Sequence, residues 1–133
     1  MSFYTFSQNN SGGDFIIDDD VAEYVIIEAD NGDEALNIAE NVGLYFNGVS
    51  EGIDCSCCGD RWSTCYSKYD EPTIWGNKDL IAELKDTWSY KSAIIYYKND
   101  KKTILSNNGG NIIETHYIRT NGIWEVNKSE GSS

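Results

Sequence analysis

Glu23-Tyr-Val-Ile-Ile-Glu28, followed by Asn31-Gly-Asp-Glu34 and then by Ala35, Ile38, Ala39, Val42 and Gly43, is the stretch that decides the fold. Its first six residues are rich in β-branched and aromatic side chains and read as a strand. Asn31 offers an N-cap, and Glu34, three residues on, completes a capping box. The apolar residues at 35, 38, 39 and 42 share one helical face, and Gly43 suits the stop. The pattern predicts a strand running into a helix over 32–43 that packs on a sheet.

Towards the N-terminus, Phe3–Gln8 reads as a strand, and Asn9-Asn-Ser-Gly-Gly13 supplies residues that tolerate positive φ. Asp14–Ile17 is short and strand-like. Asp18-Asp-Asp20 lacks the Gly and distal Glu of a calcium loop and reads as a solvated turn. Towards the C-terminus, Leu44–Cys65 is irregular, with glycines at 48, 52 and 59, and long irregular segments inside a domain often carry function. Asn77 caps a second helix whose apolar face is Leu80, Ile81, Leu84 and Trp88. Strands follow at Ala93–Tyr97, Lys101–Leu105, Ile112–Arg119 and Ile123–Val126. They are separated by Asn99-Asp100, by Ser106–Gly110 and by the hairpin dipeptide Asn121-Gly122. The expected class is α+β: a mainly antiparallel sheet with two helices on one face and a Cys/Gly-rich loop. The expected organisation is a single globular domain over 1–127 and a flexible tail over 128–133.

Composition narrows the function. A chain of 133 residues with 40% hydrophobic content and 17 aromatics buries a real core and is not a disordered acidic tail. No apolar run approaches the ~20 residues that span a bilayer, and Met1–Phe6 lacks the basic and apolar regions of a signal peptide. Four cysteines in such a chain read as free thiols or metal ligands rather than as a disulfide framework. The net charge of -12 is unevenly spread: residues 1–60 hold 13 Asp and Glu and no Lys or Arg, whereas all 10 basic residues lie in 61–133 beside 9 acidic ones. Such a chain does not track long phosphate polymers or anionic membranes. A small anionic ligand needs only a few local cations and backbone N–H groups. An acidic surface can also mimic nucleic acid in another protein's basic groove, or simply maintain solubility.

The first basic residue is Arg61, beside Trp62, at the end of Cys55-Ser-Cys57-Cys58-Gly59-Asp60. Guanidinium and indole together hold planar anions. Asn9, Asn10, Ser11, Gly12 and Gly13 can converge backbone and side-chain donors on a phosphate, although no Walker or Rossmann pattern follows them. With the many tyrosines, these are the parts of a nucleotide pocket, with Arg61 for phosphate, Trp62 for base stacking and 9–13 as a donor loop. The alternative for Trp62 and the tyrosines is the core. Cys55-x-x-Cys58 has the spacing of a zinc knuckle, for which Cys57, Cys65 and His116 are candidates as further ligands, none spaced as a second knuckle. Without zinc these cysteines are packing thiols. His116 is the only base for a cysteine nucleophile and lies within a strand pattern, so no catalytic set emerges.

Gln8-Asn-Asn-Ser-Gly-Gly13 together with Asp54-Cys-Ser-Cys-Cys-Gly-Asp-Arg-Trp62, over roughly residues 3–65, resembles a widespread family of small tailed-bacteriophage proteins. It is also similar to phage sponge proteins that counter cyclic-nucleotide immune signalling, the anti-CBASS type. The resemblance implies a noncatalytic protein without a cofactor. Such a protein sequesters a cyclic di- or trinucleotide in the host bacterial cytoplasm as a symmetric homo-oligomer. Two other readings stand beside it: an acidic nucleic-acid mimic that inhibits a host protein, and a small structural zinc-knuckle protein.

Overall fold

The structure is a computed structural model that describes residues 2–7, 22–44, 62, 66–73, 76, 80–85, 92–108 and 111–126. Seven strands form one sheet: β1 (Ser2–Ser7), β2 (Tyr24–Ala29), β3 (Ser67–Tyr69), β4 (Ser92–Tyr97), β5 (Lys101–Asn108), β6 (Asn111–Thr120) and β7 (Ile123–Val126). Helix α1 (Gly32–Val42) follows β2, and the short helix α2 (Leu80–Lys85) precedes β4. The spatial order is β3-β1-β2-β4-β5-β6-β7. Every neighbouring pair is antiparallel except β2 and β4, which run parallel with Val25 opposite Ile94 and Ile26 opposite Ile95. The sheet is therefore mainly antiparallel, as expected. The expected strand at Asp14–Ile17, the turn at 18–20, the Cys/Gly-rich loop and the tail 128–133 lie outside the described residues.

Helix α1 is built as its sequence dictates. The Asn31 side chain accepts from the Glu34 N–H at 2.8 Å, and Glu34 Oε1 accepts from the Asp30 N–H at 3.2 Å, so orphan donors are satisfied from both sides. Gly43 ends the helix at φ 117°, where its N–H returns to the last turn. Ala35 and Ala39 are fully buried.

The helices lie on opposite faces of the sheet, which corrects the expectation of one face. Val25, Ile27, Ile94 and Tyr96 pack with Ala35 and Ala39 of α1, whereas Ile26, Ala93, Ile95 and Leu105 pack with Leu80 and Leu84 of α2. Successive residues of a strand alternate in face, so these two clusters are two layers, one on each side. The central strands β2 and β4 are covered twice, which explains why they read as unbroken apolar runs rather than as alternating patterns. Strands β6 and β7 are only partly covered, with Ile112 and Trp124 packed on the two cores but Ile123 63% and Ile113 51% exposed.

Polar bonds pin the α2 layer. Thr73 Oγ1 donates to Glu83, which is 1% exposed, and the Thr73 carbonyl accepts from Thr5 Oγ1 at 2.7 Å. Asn107 Nδ2 caps the Leu84 carbonyl at 2.7 Å. Burial, with the neighbouring Glu23 and Glu83 carboxylates, holds the Tyr24 phenol well above its ordinary range. A group whose proton is held more tightly in the folded chain stabilises the fold fully below its unfolded pKa, and that contribution is lost as pH rises. The unfolding free energy should therefore fall above pH ~10, the ordinary tyrosine value, by up to about 1.4 kcal/mol per pH unit from this group. Urea titrations from pH 8 to 11.5 on the wild type and on Tyr24→Phe check it, and the variant should show the shallower decline.

Candidate functional site

Tight hairpin turns fix the far half of the sheet. Asn121 (φ 54°) and Gly122 (φ 80°) both take the left-handed conformation that a type I′ turn requires. The turn sets Thr120 opposite Ile123 and hence Arg119 opposite Trp124. At the same end of the sheet, the turn between β4 and β5 carries Asp100 at φ 60°. The Asp100 carbonyl accepts from the Arg119 N–H at 2.8 Å, so the two hairpins are stitched together.

Between these hairpins and α1 lies a cavity of about 420 Å³, within the range of small-ligand sites. Its walls are Ile38, Asn41 and Val42 of α1, and Tyr96 and Trp124 from the sheet. Glu28, Lys98, Asp100 and Arg119 bring charge to it. The cavity sits beside the carboxyl ends of β2 and β4, the one parallel pair, where open sheets with crossovers leave a crevice.

The aromatic floor is organised by cations. The Lys102 side chain, 2% exposed, places its ammonium 4.7 Å from the Trp124 ring, 5.3 Å from Tyr117 and 5.8 Å from Tyr96. Desolvated contacts of this kind are the strong form of cation–π attraction. Above them the Arg119 guanidinium lies 5.8 Å from the same Trp124 ring. Arg119 is exposed, and no carboxylate pairs with it among the described residues. Lys98 differs: its ammonium bonds Asp30 at 2.7 Å and Glu34 at 3.1 Å, tying the end of β4 to the start of α1. The Lys98 hydrogen bond and charge lower the Asp30 carboxyl below its usual range. On the other face, His116 bridges Thr103 (Nδ1 to Oγ1, 2.9 Å) and Glu114 (Nε2 to Oε1, 3.1 Å), a cross-strand polar cluster.

Among the residues expected from sequence to form a site, Asn9, Asn10, Ser11, Gly12, Gly13 and Arg61 lie outside the described residues, as do Cys55, Cys57, Cys58 and Cys65. Trp62 is described. It is 1% exposed and packs in the α1-side core with Tyr4, Phe6 and Leu44, so its indole meets protein rather than an open pocket. Among the described residues, no three His, Cys, Asp or Glu side chains gather as a metal site. The Arg119–Trp124 pair was not singled out from sequence. Its signal is the Asn121-Gly122 turn, whose register sets residues 119 and 124 face to face.

The fold and cavity define a sheet-dominated α+β domain with a cation–aromatic crevice. The chain belongs to a family described as a domain of unknown function, DUF7296, whose model matches residues 1–115. The match ends within β6, so Arg119 and Trp124 lie beyond it. No curated protein and no solved structure matches the chain. No helix among the described residues is long and apolar enough to cross a membrane.

The burial of Trp62 carries a prediction. Trp62→Ala should cost about 3–5 kcal/mol of folding free energy, the range for truncating a core aromatic. Trp124→Ala, at the partly exposed cavity floor, should cost less. Urea unfolding of the two variants gives the comparison, and an order reversed from this one would place Trp62 outside the core.

Proposed function

We propose that this protein binds a small nucleotide-type anion without turning it over, with the Arg119–Trp124 cavity as the seat. The observation that carries the reading is an exposed guanidinium, unpaired among the described residues, lying against an indole at the mouth of a cavity of about 420 Å³. Guanidinium offers bidentate bonds to phosphate, and the half-buried Trp124 offers a π-face to a base. The charge of -12 disfavours long nucleic acids and leaves a local cation to select a small anion.

The ligand class proposed is a cyclic nucleotide immune signal, sequestered by a phage protein in the host cytoplasm. This rests on the resemblance carried by Gln8–Gly13 and Asp54–Trp62. One cavity suits one nucleotide unit, and a cyclic dinucleotide, being two-fold, would span two copies of the site about a symmetry axis. A homo-oligomer is thus part of the proposal. Arg61 and the 9–13 donor loop are proposed as further phosphate contacts.

Calorimetric titration with cyclic di-GMP and cyclic di-AMP, followed by heat release of the ligand, tests the reading. Intact ligand should be recovered, and a cleaved product would make this an enzyme. Arg119→Ala should weaken binding by about 2–4 kcal/mol, roughly thirty- to a thousandfold, with the melting temperature unchanged. Arg119→Lys should rescue only in part, because it lacks the planar fork. Arg61→Ala, run in parallel, reports whether the Cys/Gly-rich loop adds a second contact.

A further inference from the structure

The same cavity carries two carboxylates beside its two cations, and one of them, Glu28, accepts from the Lys98 N–H at 3.0 Å. Asp100 lines it together with Arg119, and their backbones are one hydrogen bond apart at 2.8 Å. Among the described residues the Asp100 carboxylate accepts no hydrogen bond and joins no ion pair, and it does not bridge to Arg119. Its position is fixed by the turn, where it holds φ 60°. Asp30 and Glu34, by contrast, are both committed to Lys98.

A carboxylate on the rim of a seat for phosphate is a liability unless the ligand brings donors to it. It repels the anion and gains nothing from a base that presents only acceptors. Guanine is the base whose Watson–Crick edge presents two adjacent donors, N1–H and the N2 amino group. A carboxylate accepts both in a bidentate, charge-assisted pair. Adenine offers one amino donor beside an acceptor nitrogen, which would face the carboxylate and be repelled. Resting on the nucleotide reading above, we infer that the site is selective for guanine nucleotides, with Asp100 reading the base and Arg119 holding the phosphate. The half-buried Trp124 supplies the stacking surface between them.

The test is a titration of the full-length protein with cyclic di-GMP, cyclic di-AMP and cyclic di-IMP, the last lacking the N2 amino group. The wild type should prefer the guanine ligand to the adenine one by about ten- to a hundredfold, the discrimination typical of one good bidentate base contact. The inosine ligand should fall between them. Asp100→Asn should level the three affinities while keeping phosphate-driven binding. Asparagine tolerates the left-handed conformation at this turn, so the variant should fold, and its thermal melt confirms that. Arg119→Ala should weaken all three ligands by a similar factor and keep their order. Equal wild-type affinity for the guanine and adenine ligands, or selectivity that survives Asp100→Asn, overturns the inference and leaves the nucleotide reading standing. Binding of none of the three overturns both.

Discussion

The parallel pairing of β2 with β4 is the contact on which the rest of the molecule depends. Val25, Ile26 and Ile27 lie against Ile94, Ile95 and Tyr96, and alternate residues of each strand enter opposite cores. Val25, Ile26, Ile27 and Ile94 are fully removed from solvent. Burial on both faces roughly doubles the apolar area each strand withdraws from water compared with a half-exposed strand. Both helices are placed by this pair, since each covers one side of it. The antiparallel strands extend outward from it: β1 and β3 on one flank, β5, β6 and β7 on the other.

The candidate site follows from where that covering ends. Helix α1 shields β2 and β4 and leaves the ends of β5, β6 and β7 to close the cavity by their own side chains. Lys102 in this region is an unusual choice for a nearly inaccessible position, because its charge must be met where water cannot reach. Three aromatic rings surround its ammonium, which holds Trp124 and Tyr96 as walls. The cost of burying one lysine is offset by a rigid aromatic floor beneath an exposed arginine. Pre-set surfaces of this kind lose little freedom when a planar ligand arrives.

Local chemistry was legible in the sequence, and long-range geometry was not. Asn31, Glu34 and Gly43 mark α1 to within a residue, and Asn121-Gly122 marks its hairpin, because caps and turns are decided by neighbouring residues. The unbroken run Tyr24–Ile27 is legible as a strand, whereas the placing of both helices on one face is not what the structure has. The run's lack of alternation was the sign of two covered faces. Strand β3, Ser67-Lys-Tyr69, is too short and polar to show a period and exists because β1 pairs with it. In sequence an arginine and a tryptophan adjoin at Arg61-Trp62, of which Arg61 lies outside the described residues. Residues paired across a two-residue turn point to the same side of the sheet and are far apart in neither space nor sequence. Arg119 and Trp124 are such a pair.

The order of strands in the sheet also bears on how the chain reaches it. Strands β4 to β7 are consecutive in both sequence and space, so each pairing closes a short loop and can form within microseconds. Strand β2 must instead find a partner nearly seventy residues away, Tyr24 meeting Ala93. That closure carries a larger entropy cost and places this fold among the slower-folding mixed topologies. During synthesis β1 and β2 emerge first and can pair with each other, but the apolar edge of β2 stays uncovered until β4 has left the ribosome. A strand buried on both faces in the mature fold is therefore one whose open edge waits for a distant partner, and unpaired apolar edges are the feature by which folding chains associate wrongly.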